Sequence, residues 1–460
     1  MTNILKQQVQ GSVLISGDEG YETQRKIWNA AVDKWPGIIV VCKEEADAVC
    51  AVRYAREHNL EISIKGGGHH VAGTAVTEGG IMIDLSELTE VVVDENSRIA
   101  RVQGGATLAD IDRETQRYGL ATPTGTVSET GVAGLALNGG LGYLRAKYGL
   151  TCDNIQAVNL VTADGDHIRV SDTEHPDLFW AIRGGGGNFG VVTSFEFQLH
   201  EIGPEVLALD VMYDFEDVKT VFHNLNTYLE AASDEISVNA TLIDLPPAPF
   251  IPEFLHHRRV IIVAGIYAGS PEEGEPIIQP LRELAQPLAD MTAVMPYVEL
   301  QKKLDAMVPQ NANIAGTSLY LEELTEEALD QIVAQMNGAP APAMVQLWET
   351  HGHMNRIPTN ENAYYVRGGQ YLLLVDVIYE DGQDQKAKEW IDEMRQSLLV
   401  YSYEQTSYLN LTENDESIIR ESYGSNYARL VAIKQKYDPN NIFHVNHNID
   451  PKSDCELVTE

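Results

Sequence analysis

Apolar positions in the first two hundred residues recur in two rhythms that alternate along the chain. Residues 36–43, an almost unbroken apolar run closed by Lys43, read as a buried strand. Over 44–58 the spacing becomes helical and puts Ala48, Val49, Val52 and Ala55 on one face. Strands follow at Leu60–Ile64, Ile81–Leu85, Val91–Asp94 and Ile99–Val102, joined by short polar turns. Thr107–Tyr118 reads as a helix through Leu108, Ile111 and Thr115, and Val192–Leu199 alternates as a strand. These units mix helix and strand but are too short for a doubly wound sheet, so the alternation leaves the topology open. Further along, Val260–Tyr267 and Gln370–Tyr379 read as strands, and Thr325–Met336 and Gln385–Ser397 as amphipathic helices. The proline-rich stretch from Pro246 to Pro252 is a stiff loop.

The turns say more than the elements. Ile64-Lys65-Gly66-Gly67-Gly68-His69-His70-Val71-Ala72-Gly73 leaves a strand with three bare glycines and two imidazoles. Such a backbone exposes its N–H groups and can wrap a phosphate closely. A second cluster holds Gly125, Gly131, Gly134, Gly139, Gly140 and Gly142; a third runs from Gly184 to Gly187 and on to Gly190. None ends in the Gly-Lys-Ser/Thr of a nucleotide P-loop, and no GxGxxG opens a βαβ unit, which disfavours a nicotinamide dinucleotide fold. On the residues alone the loops are either the cradle of one extended dinucleotide such as FAD or unrelated turns.

Charge narrows the partners. Among 460 residues, 68 Asp and Glu outweigh 32 Lys and Arg, for a net charge of −36. A nucleic acid or an anionic membrane needs a basic footprint, so neither is expected. Cys42, Cys50, Cys152 and Cys455 are too few for a disulfide framework in a chain this long. Met1 to Ser16 lacks the charged and apolar regions of a signal peptide, and no apolar run is long enough to span a bilayer, so the cytoplasm is the expected compartment.

Four ordered segments resemble the FAD-linked oxidases of the vanillyl-alcohol oxidase superfamily, in the berberine-bridge-enzyme-like branch: Lys65–Gly73, Gly125–Asn154, Phe179–Phe197 and Ser422–Ile449. The resemblance implies an α+β protein with a PCMH-type FAD-binding domain over 1–205. A substrate domain over 206–420 would carry an antiparallel sheet backed by helices, and 421–460 would return to the FAD domain. It further implies that His69 carries the flavin, with His70 one step beyond. The cofactor-side residues it implies are Gly66, Gly67, Gly68, His69, His70, Gly73, Thr126, Gly131, Gly134, Gly139, Gly142, Cys152, Gly190, Val192, Asn446 and Asn448.

Two departures from the family pattern matter. Aligning Gly125-Thr126 with the family's Gly-Thr-Cys puts Val127 where a second linking cysteine would stand, so the flavin is expected to be held by His69 only. Cys152 is then a packed thiol. The family's Tyr-x-Asn-Tyr becomes Tyr408-Leu409-Asn410-Leu411, which removes the second tyrosine, the usual base, and leaves Tyr408 as the catalytic candidate. Both features make the chain most similar to 6-hydroxy-D-nicotine-oxidase-like members. His351, His353 and Arg356 fall where relatives place residues on the substrate side of the flavin; no matching third ligand makes the His-x-His pair a metal site. The expected activity is removal of a hydride from a carbon bearing a hydroxyl or amine on a small molecule, with O2 accepting the electrons. The alternatives are a flavin dehydrogenase with another acceptor and a flavin-bearing structural protein.

Overall fold

The structure, a computed structural model, describes residues 2–247, 251–340 and 342–453; Ala248, Pro249 and Phe250 of the proline loop lie outside the described residues. A four-stranded sheet runs in the order Ser12–Leu14, Ile38–Val41, Ile81–Asp84, Ile62–Lys65, the last three parallel. Parallel neighbours need a crossover. The helix Glu45–His58 carries the chain from Ile38–Val41 past the central strand to Ile62–Lys65, started by a reciprocal Glu44/Asp47 cap and stopped at Asn59 in the left-handed region. The strand Ile62–Lys65 therefore releases the first glycine loop beyond the carboxyl ends of parallel strands, where open α/β sheets bind ligands.

A five-stranded antiparallel sheet follows, ordered Val91–Asp94, Ile99–Gln103, Val191–Gln198, Ile155–Val161, His167–Ser171. The helix expected over Thr107–Tyr118 is α-helical from Leu108 to Thr115 and then tightens into a 3-10 turn.

The third sheet has eight strands, with Glu205–Asp214, Arg259–Tyr267, Ile236–Asp244, Ala343–Glu349, Tyr371–Tyr379 and Asn313–Leu321 adjacent in that order and all antiparallel. Side chains alternate across a strand. In Tyr371–Tyr379 the odd positions Leu373, Val375 and Val377 pack under the helices Val218–Leu229, Glu326–Asn337 and Asp384–Leu398. The even positions Leu374, Asp376 and Ile378 face the opposite way, onto a cavity.

The C-terminal helices then return to the glycine-rich half. Lys434, fully buried, donates to Asn188 O at 2.6 Å, Phe443 O at 2.9 Å and Asp438 Oδ2 at 2.7 Å. Phe443 packs into one core with Val40, Ile81 and Ile83. Among the described residues, no helix is long and apolar enough to cross a membrane.

Candidate active site

A cavity of about 560 Å³ separates the first glycine loop and the 125–138 segment from the even-numbered face of the large sheet. Of the residues singled out in the sequence, Gly66, Gly67, Gly68, His69, His70, Thr126, Gly131, Gly134 and Tyr408 line it. Val127 does so too, on the wall where the family pattern would put a cysteine.

His69 and His70 differ sharply. The His69 ring stacks on Trp28 with centroids 4.3 Å apart and planes 16° apart, and its buried Nε2 has no hydrogen-bond partner. Burial pushes its pKa down to about 4, so the ring is neutral at neutral pH. His70 has neither nitrogen free. Its Nδ1 accepts from the Ala72 N–H at 3.1 Å, which leaves the proton on Nε2 to donate to Leu409 O at 2.8 Å. Neighbouring imidazoles thus take separate tasks: His70 holds structure, and His69 offers a nucleophilic nitrogen to the cavity.

Leu409 O receives a second imidazole. His447 Nε2 lies 2.8 Å from it and 3.3 Å from His70 Nε2. Two neutral rings, one from the glycine loop and one from the C-terminal return, therefore fix the turn that carries Tyr408, Asn410 and Leu411 into the cavity wall. Burial first, and then the His70 ring, push His447 down to about 3. Since its unfolded pKa is near 6.5, the stability from keeping it neutral is complete above pH 6.5 and is lost as pH falls toward 3. His447→Gln can still donate to Leu409 O but cannot titrate. Its melting temperature is expected to fall less than that of the unsubstituted protein between pH 6.5 and 4, as measured by thermal denaturation across that range.

Tyr408 is not in a strand; it precedes the 3-10 turn Leu409–Leu411. Its hydroxyl accepts from the Leu141 N–H and from Asn410 Nδ2, each at 3.0 Å, and burial pushes it up to about 12. A phenol so placed keeps its proton at neutral pH. The ionisable group that sequence reasoning missed is Asp376. Its carboxyl reaches the cavity between Leu374 and Ile378, has no hydrogen-bond or ion-pair partner among the described residues, and is pushed up to about 7 by burial. A lone carboxylate in an otherwise apolar strand was the available signal.

The remaining candidates lie away from the cavity wall. Cys152 is buried with its Sγ 3.6 Å from Asp153 Oδ1, and burial holds its thiol far above the usual range, so it is an inert packed group. Gly73 makes room for Val32, Gly139 for the Tyr364 ring, Gly142 for Thr124 O and Gly190 for Val161 O, so a side chain at any of them would clash. Val192 is a buried strand residue opposite Leu160. The third glycine cluster serves the C-terminal return instead: Asn188 donates to His447 O at 3.0 Å and accepts from the Ile449 N–H at 3.0 Å. Asn446 and Asn448 flank His447 and each keeps a buried Oδ1 without a partner. His351 and Arg356 are captured outside the cavity by Glu349 and Asp234, and His353 belongs to the same short helix as Arg356.

The profile of a family described as "FAD binding domain" matches residues 36–171, and that of "Berberine and berberine like" matches 407–450. The (R)-6-hydroxynicotine oxidase of Paenarthrobacter nicotinovorans is 32% identical over 457 residues, covering 96% of this chain and 97% of its own. The chain belongs to the berberine-bridge-like FAD-linked oxidoreductases. An FAD-linked oxidoreductase of Dictyostelium discoideum is 30% identical, covering 98% of this chain and 97% of its own. Among solved structures, 6-hydroxy-D-nicotine oxidase from Arthrobacter nicotinovorans superposes with a TM-score of 0.87 at 30% identity, over 98% of this chain and 100% of that one. A chitooligosaccharide oxidase superposes with a TM-score of 0.86 at 23% identity, over 98% of this chain and 100% of that one, which shows a shared fold.

The residues of this oxidoreductase fit an FAD. Three buried polar atoms on cavity-lining residues lack partners: Trp28 Nε1, His69 Nε2 and Asn138 Oδ1. The loops around them are stripped of side chains where space is shortest, since a Cβ on Gly67 would lie 2.3 Å from Gly131 N. Gly134, by contrast, looks onto open space, with nothing within 4 Å of an added Cβ.

Proposed function

We propose that the chain is an oxidase whose FAD is attached through His69 alone, and that it oxidises a carbon bearing a hydroxyl or amine on a small molecule, with O2 as the final acceptor. The observation that carries the reading is the pairing of a neutral, unpartnered His69 Nε2 with a His70 whose ring nitrogens are both committed. When bound, the flavin supplies hydride acceptance and passes the electrons to O2. The chain does the rest. Trp28 orients the His69 ring by stacking, and the bare Gly67 and Gly131 let the two loops that wall the cavity close on each other. The apolar walls, among them Leu141, Trp348 and Leu374, exclude water from the reacting carbon. Asp376 is the cavity group able to take a proton from the substrate's hydroxyl or nitrogen, because an acid with a pKa of about 7 is half ionised at neutral pH. The name of the Paenarthrobacter relative, an oxidase of a small nitrogenous molecule, supports the oxidase reading.

Anaerobic reduction of the holoenzyme by a turned-over substrate, followed by admission of air, tests it. Reoxidation within the turnover time, with one peroxide formed per substrate, is the expected result. Slow reoxidation in air, with turnover restored by a quinone or dye, would assign the chain to the dehydrogenases instead.

A further inference from the structure

The charges lining the cavity do not balance. No lysine or arginine lines it, among the described residues. Asp244 does, but Arg259 holds it with two parallel bonds of 2.8 and 2.9 Å. His69 and His70 are neutral, and the Tyr408 phenol keeps its proton. Asp376 is the remainder: a carboxyl facing the cavity with no donor to answer it. Its cross-strand neighbours are Gly316 and Met344. A Cβ on Gly316 would lie 3.0 Å from Asp376 Oδ1 and 3.4 Å from Leu411 Cδ1, so the leucine that replaces the family's tyrosine ends beside this carboxyl. The residues outside the described set include no Lys, Arg or His that could neutralise it.

We propose that the missing partner is the substrate, and that this cavity selects an amine: a small molecule with an apolar body and one basic nitrogen whose N–H groups face the Asp376 carboxylate. This rests on reading the cavity as the substrate site of the oxidase. An isolated carboxylate among apolar side chains is costly until a cation or donor meets it. An ammonium group does so with charge-assisted hydrogen bonds, while Ile243, Met344, Leu374 and Ile378 take up the apolar remainder. A sugar fits less well, because the polar side chains on this wall are few and partly committed. Gln346 Oε1 accepts from Trp348 Nε1 at 3.0 Å, and the Asn410 amide is turned to Leu135 O and the Tyr408 hydroxyl. Carboxylate substrates meet the Asp376 charge at the site and a net charge of −36 on approach.

The test is anaerobic calorimetric titration of the holoenzyme with phenethylamine, N-methylphenethylamine and 3-phenylpropylamine, each beside its alcohol and carboxylate counterparts. At least one amine should bind about tenfold or more tightly than its alcohol, a factor typical of one charge-assisted hydrogen bond, and no carboxylate should bind. Amine affinity should fall as pH drops from 8 to 6, as Asp376 takes up a proton. Asp376→Asn should erase the preference for amine over alcohol. Leu411→Gln, which sets an amide N–H beside Asp376 without touching the carboxyl itself, should erode it as well, so a folding defect in one variant leaves the other informative. The proposal is overturned if no amine binds more tightly than its alcohol, or if Asp376→Asn keeps the preference. The oxidase reading fails separately: a chain that prefers amines in binding but forms no peroxide contradicts that reading and leaves this one intact.

Discussion

Gly67→Ala should yield a protein that retains no FAD and melts well below the unsubstituted enzyme. The added methyl would sit 2.3 Å from Gly131 N and 2.6 Å from Gly131 Cα, against backbone that has no rotamer to yield. That backbone is itself held. Gly131 bridges Thr107, the Val132 N–H bonds Ala106 O at 2.9 Å, and the Leu108 N–H bonds Thr130 O at 2.9 Å. Relief must therefore separate the two loops, which are the walls of the cavity. Overpacking of this kind costs about 1–3 kcal/mol, and more where nothing can move. Gly131→Ala meets Gly67 N at the same 2.3 Å and should fail in the same way. Gly134→Ala is the contrast. It lies within the helix Val132–Leu137 and its added methyl meets nothing, so it should stabilise the fold by about 0.5–1 kcal/mol while intruding on the cavity. Cofactor content after gel filtration, read beside the melting temperature, separates the two behaviours.

Arg145→Leu should have the largest effect on stability of any single substitution away from the loops. Arg145 is fully buried and joins the glycine-rich half to the large sheet. It donates to Glu349 Oε1 at 2.7 Å, Glu349 O at 2.9 Å, Gly142 O at 3.1 Å and Val238 O. Glu349 is complete as well, accepting from the Val238 N–H at 3.0 Å and from His351. Removing the guanidinium takes the main countercharge from a buried carboxylate, for which about 3–5 kcal/mol is the usual cost. Urea unfolding should show a lower midpoint at unchanged slope. Glu349→Gln in the Arg145→Leu background should recover part of the loss, because the buried charge is then gone.

Local pattern carried the sequence reading well in the outer strands and helices. Val91–Asp94 is a strand with the bounds its apolar run between polar turns suggested, and Gln370–Tyr379 differs by one residue at its start. Glu205–Asp214, Ile236–Asp244, Asn313–Leu321 and Ala343–Glu349 were not read as strands. They are buried on both faces for almost their whole length, which erases the two-residue rhythm. The site divides in the same way. The His69 loop is a local motif. The His447–His70 contact joins residues 377 apart, and Asp376 gains meaning only from a register that turns it toward the cavity. His351 and Arg356 misled because carboxylates hold them elsewhere: Glu349, two residues before His351, and Asp234, 122 residues before Arg356.

Attachment through His69 is the point on which the account depends most, and the mass of the acid-denatured chain tests it directly. The unsubstituted protein and Cys152→Ala should both keep the added mass of one FAD, and His69→Ala should show the bare polypeptide. An FAD mass that survives on the His69→Ala chain, or disappears with Cys152, would contradict the account.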